Sequence, residues 1–121
     1  MTEAEERGPL VEVLYFDGCP NRPAAVALAE RVSADIGRDV EIRFVNVADP
    51  DAAVRERFLG SPSIRVNGLD IEPGAEARTD YVLACRVYRT DDGASGQPDE
   101  RWLRDALRSS GAADSPANRS R

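Results

Sequence analysis

A chain of 121 residues with 22 acidic and 16 basic side chains, for a formal net charge of −6, suits one compact acidic domain and leaves little for a second. Hydrophobic residues make up 41% and charged residues 31%, which excludes wholesale disorder and fibrous architectures. Every basic residue is Arg and none sits in a run that could neutralise phosphates, so nucleic acid is not an expected partner, while the absence of His removes Ser-His-Asp chemistry and most zinc sites.

Residues 1–8 are acidic and are predicted to be a flexible start. No long apolar run follows them, so neither a secretory signal nor a spanning helix is read, and a cytoplasmic protein away from membranes is expected. Leu10 to Phe16 is rich in β-branched and aromatic residues and nearly all apolar, the pattern of a central strand covered on both faces. Gly18, Pro20 and Pro23 break that strand, with Asn21 as a helix cap and Pro23 as an early helical position. From Ala24 to Ile36 the apolar residues Ala25, Leu28, Ala29, Val32 and Ile36 recur at helical spacing, and Gly37 is the expected stop. A second strand is predicted over Val40 to Val47, and Asp49-Pro50 opens a short helix from Asp51 to Phe58. Two strands joined by a crossover helix of this length should be parallel.

Ser63 to Val66, the turn Asn67-Gly68 and Leu69 to Ile71 read as a hairpin added antiparallel to the sheet. Glu72 to Tyr81 is read as irregular, because Pro73, Gly74 and Thr79-Asp80 argue for a loop against the helical turn that Ala75 to Arg78 would allow. Tyr81 to Arg89 is a short extended segment and Asp91 to Gly96 a turn. A last helix runs from Pro98 to Arg108 with Trp102, Leu103, Ala106 and Leu107 as its apolar stripe. The domain therefore spans 9–108, and residues 109–121, poor in large apolar side chains, are an expected disordered tail.

Chemistry, where present, rests on sulfur. Cys19 and Cys85 are the two cysteines, and without an export signal they read as free thiols or a redox pair rather than a structural staple. A thiol just ahead of a helix start faces unpaired backbone N–H groups and the positive end of the macrodipole, which favour thiolate over thiol. Arg22 adds a permanent cation three residues on. Tyr15 and Phe16 read first as core strand residues, and Trp102 as a core anchor.

The order β-α-β-α-β-β-α, with Cys19 between the first strand and helix and Ser61-Pro62 before the third strand, resembles the minimal thioredoxin fold over Leu10 to Arg108. Leu14 to Asn21, Phe58 to Gly68 and Cys85 to Arg89 are similar to small bacterial thioredoxin-like proteins, a group labelled thioredoxin-family, DF-family (seleno)protein or alkylmercury lyase. The implied fold class is α/β, a minimal thioredoxin-like fold with a mixed sheet flanked by helices. The resemblance also implies that Pro62 is a cis-proline opposite the reactive Cys and presents backbone to an extended substrate.

Arg22 stands where the family's Cys-x-x-Cys motif has its second Cys, so the only protein thiol left to release a mixed disulfide is Cys85. Three functions follow from this. The first is a thiol-dependent redox protein in which Cys19 attacks and Cys85 or an external thiol resolves, acting on a small-molecule thiol or a protein disulfide. In it Cys19, Cys85 and Pro62 carry the reaction, and Pro20, Asn21, Arg22 and Ser61 contact substrate. The second is soft-metal or organomercury binding by Cys19 and Cys85, since soft ions favour thiolates. The third is a non-catalytic module binding a peptide or partner through the Pro62 groove, as a monomer or homodimer. No cofactor is expected.

Overall fold

The computed structural model describes residues 8–36 and 39–114, with side chains through residue 110. Residues 1–7 of the expected flexible start, the Gly37 stop and residues 115–121 of the expected tail lie outside the described residues. The first strand, β1 (Leu10–Tyr15), lies between a parallel neighbour, β2 (Glu41–Asn46), and an antiparallel one, β3 (Ser63–Val66). A short β4 (Leu69–Asp70) extends the sheet antiparallel to β3, giving the order β2-β1-β3-β4. The β3–β4 turn is Asn67-Gly68, both at positive φ, +51° and +88°, the backbone that a two-residue hairpin of this hand needs.

Period-two alternation divides the strand residues between two cores. Val11 and Val13 of β1 and Ile64 and Val66 of β3 face one side, where they bury Ala25, Leu28, Ala29 and Val32 of α1 (Arg22–Ile36) and Leu103 and Leu107 of α3 (Glu100–Asp114). Leu14 faces the other side and packs with Val47, Phe58 and Ala53 of α2 (Pro50–Arg55). The result is a mixed sheet flanked by helices, a mixed α/β architecture. Fully burying each Val, Leu or Phe contributes roughly 1.5–3 kcal/mol, so the α1–α3 face, with the more numerous apolar residues, is the main source of cohesion. Among the described residues no helix is long and apolar enough to cross a membrane.

Local chemistry sets the helix ends. The Asn21 carbonyl accepts the Ala25 N–H at 3.2 Å, which places Asn21 at the cap position. Asp49 caps α2 through its carboxylate on the Ala52 N–H at 2.8 Å, and Asp99 does the same for α3 on the Arg101 N–H at 2.8 Å. At the other end of α2, Arg57 takes the left-handed conformation at φ +54°, and the Arg65 guanidinium donates to the Glu56 and Arg57 carbonyls.

Three expectations are corrected in the C-terminal third. The segment from Asp91 to Gly96 is more than a turn, because β5 (Tyr88–Thr90) and β6 (Gly93–Ser95) form a separate two-stranded hairpin around Asp91-Asp92. Its strands are held by backbone pairing and by the Thr90 hydroxyl, which donates to the Gly93 carbonyl at 2.9 Å, so apolar alternation was never its signal. The Tyr81–Arg89 segment is not one strand: within it, Cys85 makes a single parallel bridge to Ser61 before β5 begins. The last helix starts at Glu100 rather than Pro98 and continues past Arg108 to Asp114, through the helix formers Ala112 and Ala113. The stretch after β4, read as irregular, contains a 3-10 turn over Ala75–Ala77.

Candidate functional site

The β1–β3 register fixes which residues meet. Leu14 pairs with Ser63, so the next step along the sheet brings Tyr15 to the level of Pro62, and the loop leaving β1 emerges at the same sheet end as the loop entering β3. The first loop carries Cys19. Its N–H donates to the Phe16 carbonyl at 3.2 Å, and its own carbonyl accepts the Arg22 N–H at 3.3 Å. These two bonds wind the chain into a tight turn directly ahead of α1, with Gly18 at φ +87°. Cys19 is 5% exposed, while its neighbours Asp17, Gly18 and Pro20 are open to solvent. Arg22 stacks its guanidinium on the Tyr15 ring, 4.0 Å from the centroid, which anchors the first turn of α1 to the end of β1. Asn21 lies against Gly96, where any side chain would collide with the Asn21 amide.

The second loop is Gly60-Ser61-Pro62, and the Ser61–Pro62 bond is cis, as the resemblance implied. Ser61 and Pro62 are both buried. They are covered by the chain itself: the Ser61 N–H donates to the Ala84 carbonyl at 2.8 Å and the Ser61 carbonyl accepts the Arg86 N–H at 2.9 Å. Gly60, at φ +123°, passes so close to this segment that a Cβ would lie 2.9 Å from the Arg86 Cβ.

Residues 84–88 alternate, with Cys85 and Val87 turned to solvent and Arg86 and Tyr88 inward. The buried Arg86 guanidinium forks onto Asp70 at 2.7 and 3.1 Å, and donates to Glu72 at 2.6 Å and to the Ser63 hydroxyl at 2.8 Å. The Ser63 hydroxyl in turn donates to the Gly60 carbonyl at 2.6 Å. Burial works against the Arg86 charge, and the Asp70 and Glu72 hydrogen bonds outweigh it, holding the group above its usual pKa. Arg86 also lies over the Tyr88 ring, 4.4 Å from the centroid, and the Tyr88 hydroxyl donates to the Pro62 carbonyl at 2.6 Å. Burial pushes the Tyr88 phenol up and keeps it a neutral donor. Trp102 packs on Tyr88 at 6.0 Å between centroids, which makes it a core anchor.

The fold thus brings Cys19, Pro20, Asn21 and Arg22 to the same sheet end as Ser61 and Pro62, and separates Cys85 from Cys19. Both cysteines are free, and they are not near each other. A Cys19–Cys85 disulfide, or a soft ion shared by the two thiolates, is therefore not assembled in this arrangement. Among the described residues no group of three or more potential metal ligands converges. A cavity of about 460 Å³ lined by Val66, Leu69, Ile71, Trp102 and Ala106 opens at the hairpin end of the sheet, and Cys19 does not border it.

Arg86, Asp70 and Glu72 received no role from the sequence. The available signal was a lone Arg inside the apolar run Leu83–Tyr88, together with two carboxylates just after the Asn67-Gly68 turn. Comparison with protein-family models gives no match, and comparison with curated proteins gives none either.

Proposed function

We propose that the chain is a thioredoxin-like, thiol-dependent redox protein that uses Cys19 as its nucleophile and an external low-molecular-weight thiol to resolve it. The observation that carries this reading is the place of Cys19 in the tight β1–α1 turn, ahead of a helix start and at the sheet end it shares with the cis Ser61–Pro62 loop. The order of β1 to β4 with α1, α2 and α3 supports the thioredoxin-like assignment.

Cys19 as thiolate attacks one sulfur of a disulfide, forming a mixed disulfide and releasing one substrate thiolate. An external thiol then attacks the Cys19 sulfur and releases the second substrate thiolate, and a further external thiol regenerates Cys19. Two external thiols are oxidised to one disulfide while the substrate disulfide is reduced to two thiols. Cys85, exposed and remote, takes no part in this cycle.

Turnover tests the reading. With glutathione in excess, the wild-type protein is expected to accelerate reduction of a small disulfide in proportion to its concentration, Cys85→Ser to do the same, and Cys19→Ser to leave only the rate without protein. Full activity in Cys19→Ser would overturn the assignment.

A further inference from the structure

Building on the redox reading of Cys19, we propose that its substrates are low-molecular-weight disulfides and that extended polypeptides are excluded, because residues 84–86 of the same chain already pair with the backbone of Ser61.

An extended peptide is captured at a sheet edge by free N–H and C=O groups, which supply the affinity while side-chain pockets supply selectivity. Ser61 lies two residues before β3, at the sheet end that also carries the Cys19 loop. Both of its backbone groups are taken, at 2.8 Å by Ala84 and at 2.9 Å by Arg86. A peptide would have to break these two hydrogen bonds to form two of its own, with no net gain in backbone pairing.

The internal segment is also hard to displace. Arg86 ties it to Asp70, Glu72 and Ser63, and the Tyr88 hydroxyl ties its C-terminal end to Pro62. Lifting residues 84–88 would part the buried Arg86 guanidinium from both of its carboxylate partners, Asp70 and Glu72. Gly60 packs against Arg86 and Ala84 without room for a side chain, so the two segments are in close contact there.

Cys19 itself offers little surface: the residue is 5% exposed, although Asp17, Gly18 and Pro20 around it in the chain are open to solvent. A small disulfide needs only an in-line approach to one sulfur, with no backbone partner. The reaction is the exchange already balanced above: the substrate disulfide gains two electrons from two low-molecular-weight thiols by way of Cys19.

The test compares two disulfides with one protein and one reductant. With glutathione in excess, bis(2-hydroxyethyl) disulfide is expected to be reduced about tenfold or more above the rate without protein, and the interchain disulfides of insulin at the rate without protein. Comparable acceleration of both, or of insulin alone, would overturn the exclusion while leaving Cys19 as the nucleophile. Acceleration of neither would overturn the redox reading and the exclusion with it. Hydrogen exchange supplies a readout that needs no activity: the Arg86 amide, bonded to the Ser61 carbonyl, should stay protected in the presence of excess reduced insulin B chain. Loss of that protection would mean that a polypeptide displaces the segment, and would overturn the proposal.

Discussion

Replacing Arg86 by Met is expected to lower the free energy of unfolding by about 3 kcal/mol, the low end of what breaking a buried ion pair costs. The Arg86 side chain is 2% exposed and makes four hydrogen bonds to three partners. Met keeps much of the stem's volume but leaves Asp70 and Glu72 facing an apolar group. Those carboxylates keep 12% and 20% of their side-chain surface in solvent, so water softens the loss and the low end applies. In urea the midpoint should fall with the slope unchanged. For a domain of this size, the same loss corresponds to a melting temperature lower by roughly 10 °C or more. Arg86→Lys should recover only part of it, because an ammonium keeps the charge but cannot fork onto Asp70. A loss below about 1 kcal/mol for Arg86→Met would show that the network is not what holds residues 60–63 and 84–88 together.

Phe58→Ala is expected to cost about 3–5 kcal/mol, the range for removing a buried aromatic ring. Phe58 is fully buried in the smaller core, whose other buried members are Leu14, Val47 and Ala53, so little else is available to fill the space. Its backbone carries further load: the Phe58 N–H closes the end of α2 on the Ala53 carbonyl at 2.8 Å, and the Phe58 carbonyl accepts the Val82 N–H at 2.9 Å. The effect should therefore be local as well as global, with faster hydrogen exchange at Val82 in native conditions. A loss of under about 1 kcal/mol, with Val82 unchanged, would mean that the second face collapses onto the gap and contributes little.

The sheet and its flanking helices were legible because their signals are periodic. Val11 and Val13 against Leu14 announce a strand buried on both faces, and Ala25, Leu28, Ala29 and Val32 announce the helix that covers one of them. Asn67-Gly68 announces its hairpin because few other pairs accept positive φ at both positions. The β5–β6 hairpin was not legible, since Gly93, Ala94 and Ser95 carry no strand pattern and are held by pairing to Tyr88, Arg89 and Thr90.

Residues 84–88 show a deeper limit. Hydrophobicity would turn Val87 inward and Arg86 outward, and the fold does the reverse because Asp70, Glu72 and Ser63 converge on the guanidinium. Those partners come from β3, β4 and the residues after it, and their convergence is a property of three dimensions alone. The same holds for the cysteines. The place of Cys19 in the β1–α1 turn follows from local sequence, whereas the exposure of Cys85 and its separation from Cys19 depend on how Ser61 pairs with the segment that carries it.

That separation supplies the most direct test of Cys19 as the nucleophile, since exposure favours Cys85 and the proposed role requires Cys19. Native wild-type protein would be mixed with less than one equivalent of bis(2-hydroxyethyl) disulfide, quenched with acid, and the mixed disulfide located by mass spectrometry of the peptides. The adduct is expected on Cys19, the buried thiol in the β1–α1 turn, ahead of the exposed Cys85. An adduct found on Cys85, with Cys19 left unmodified, would contradict it.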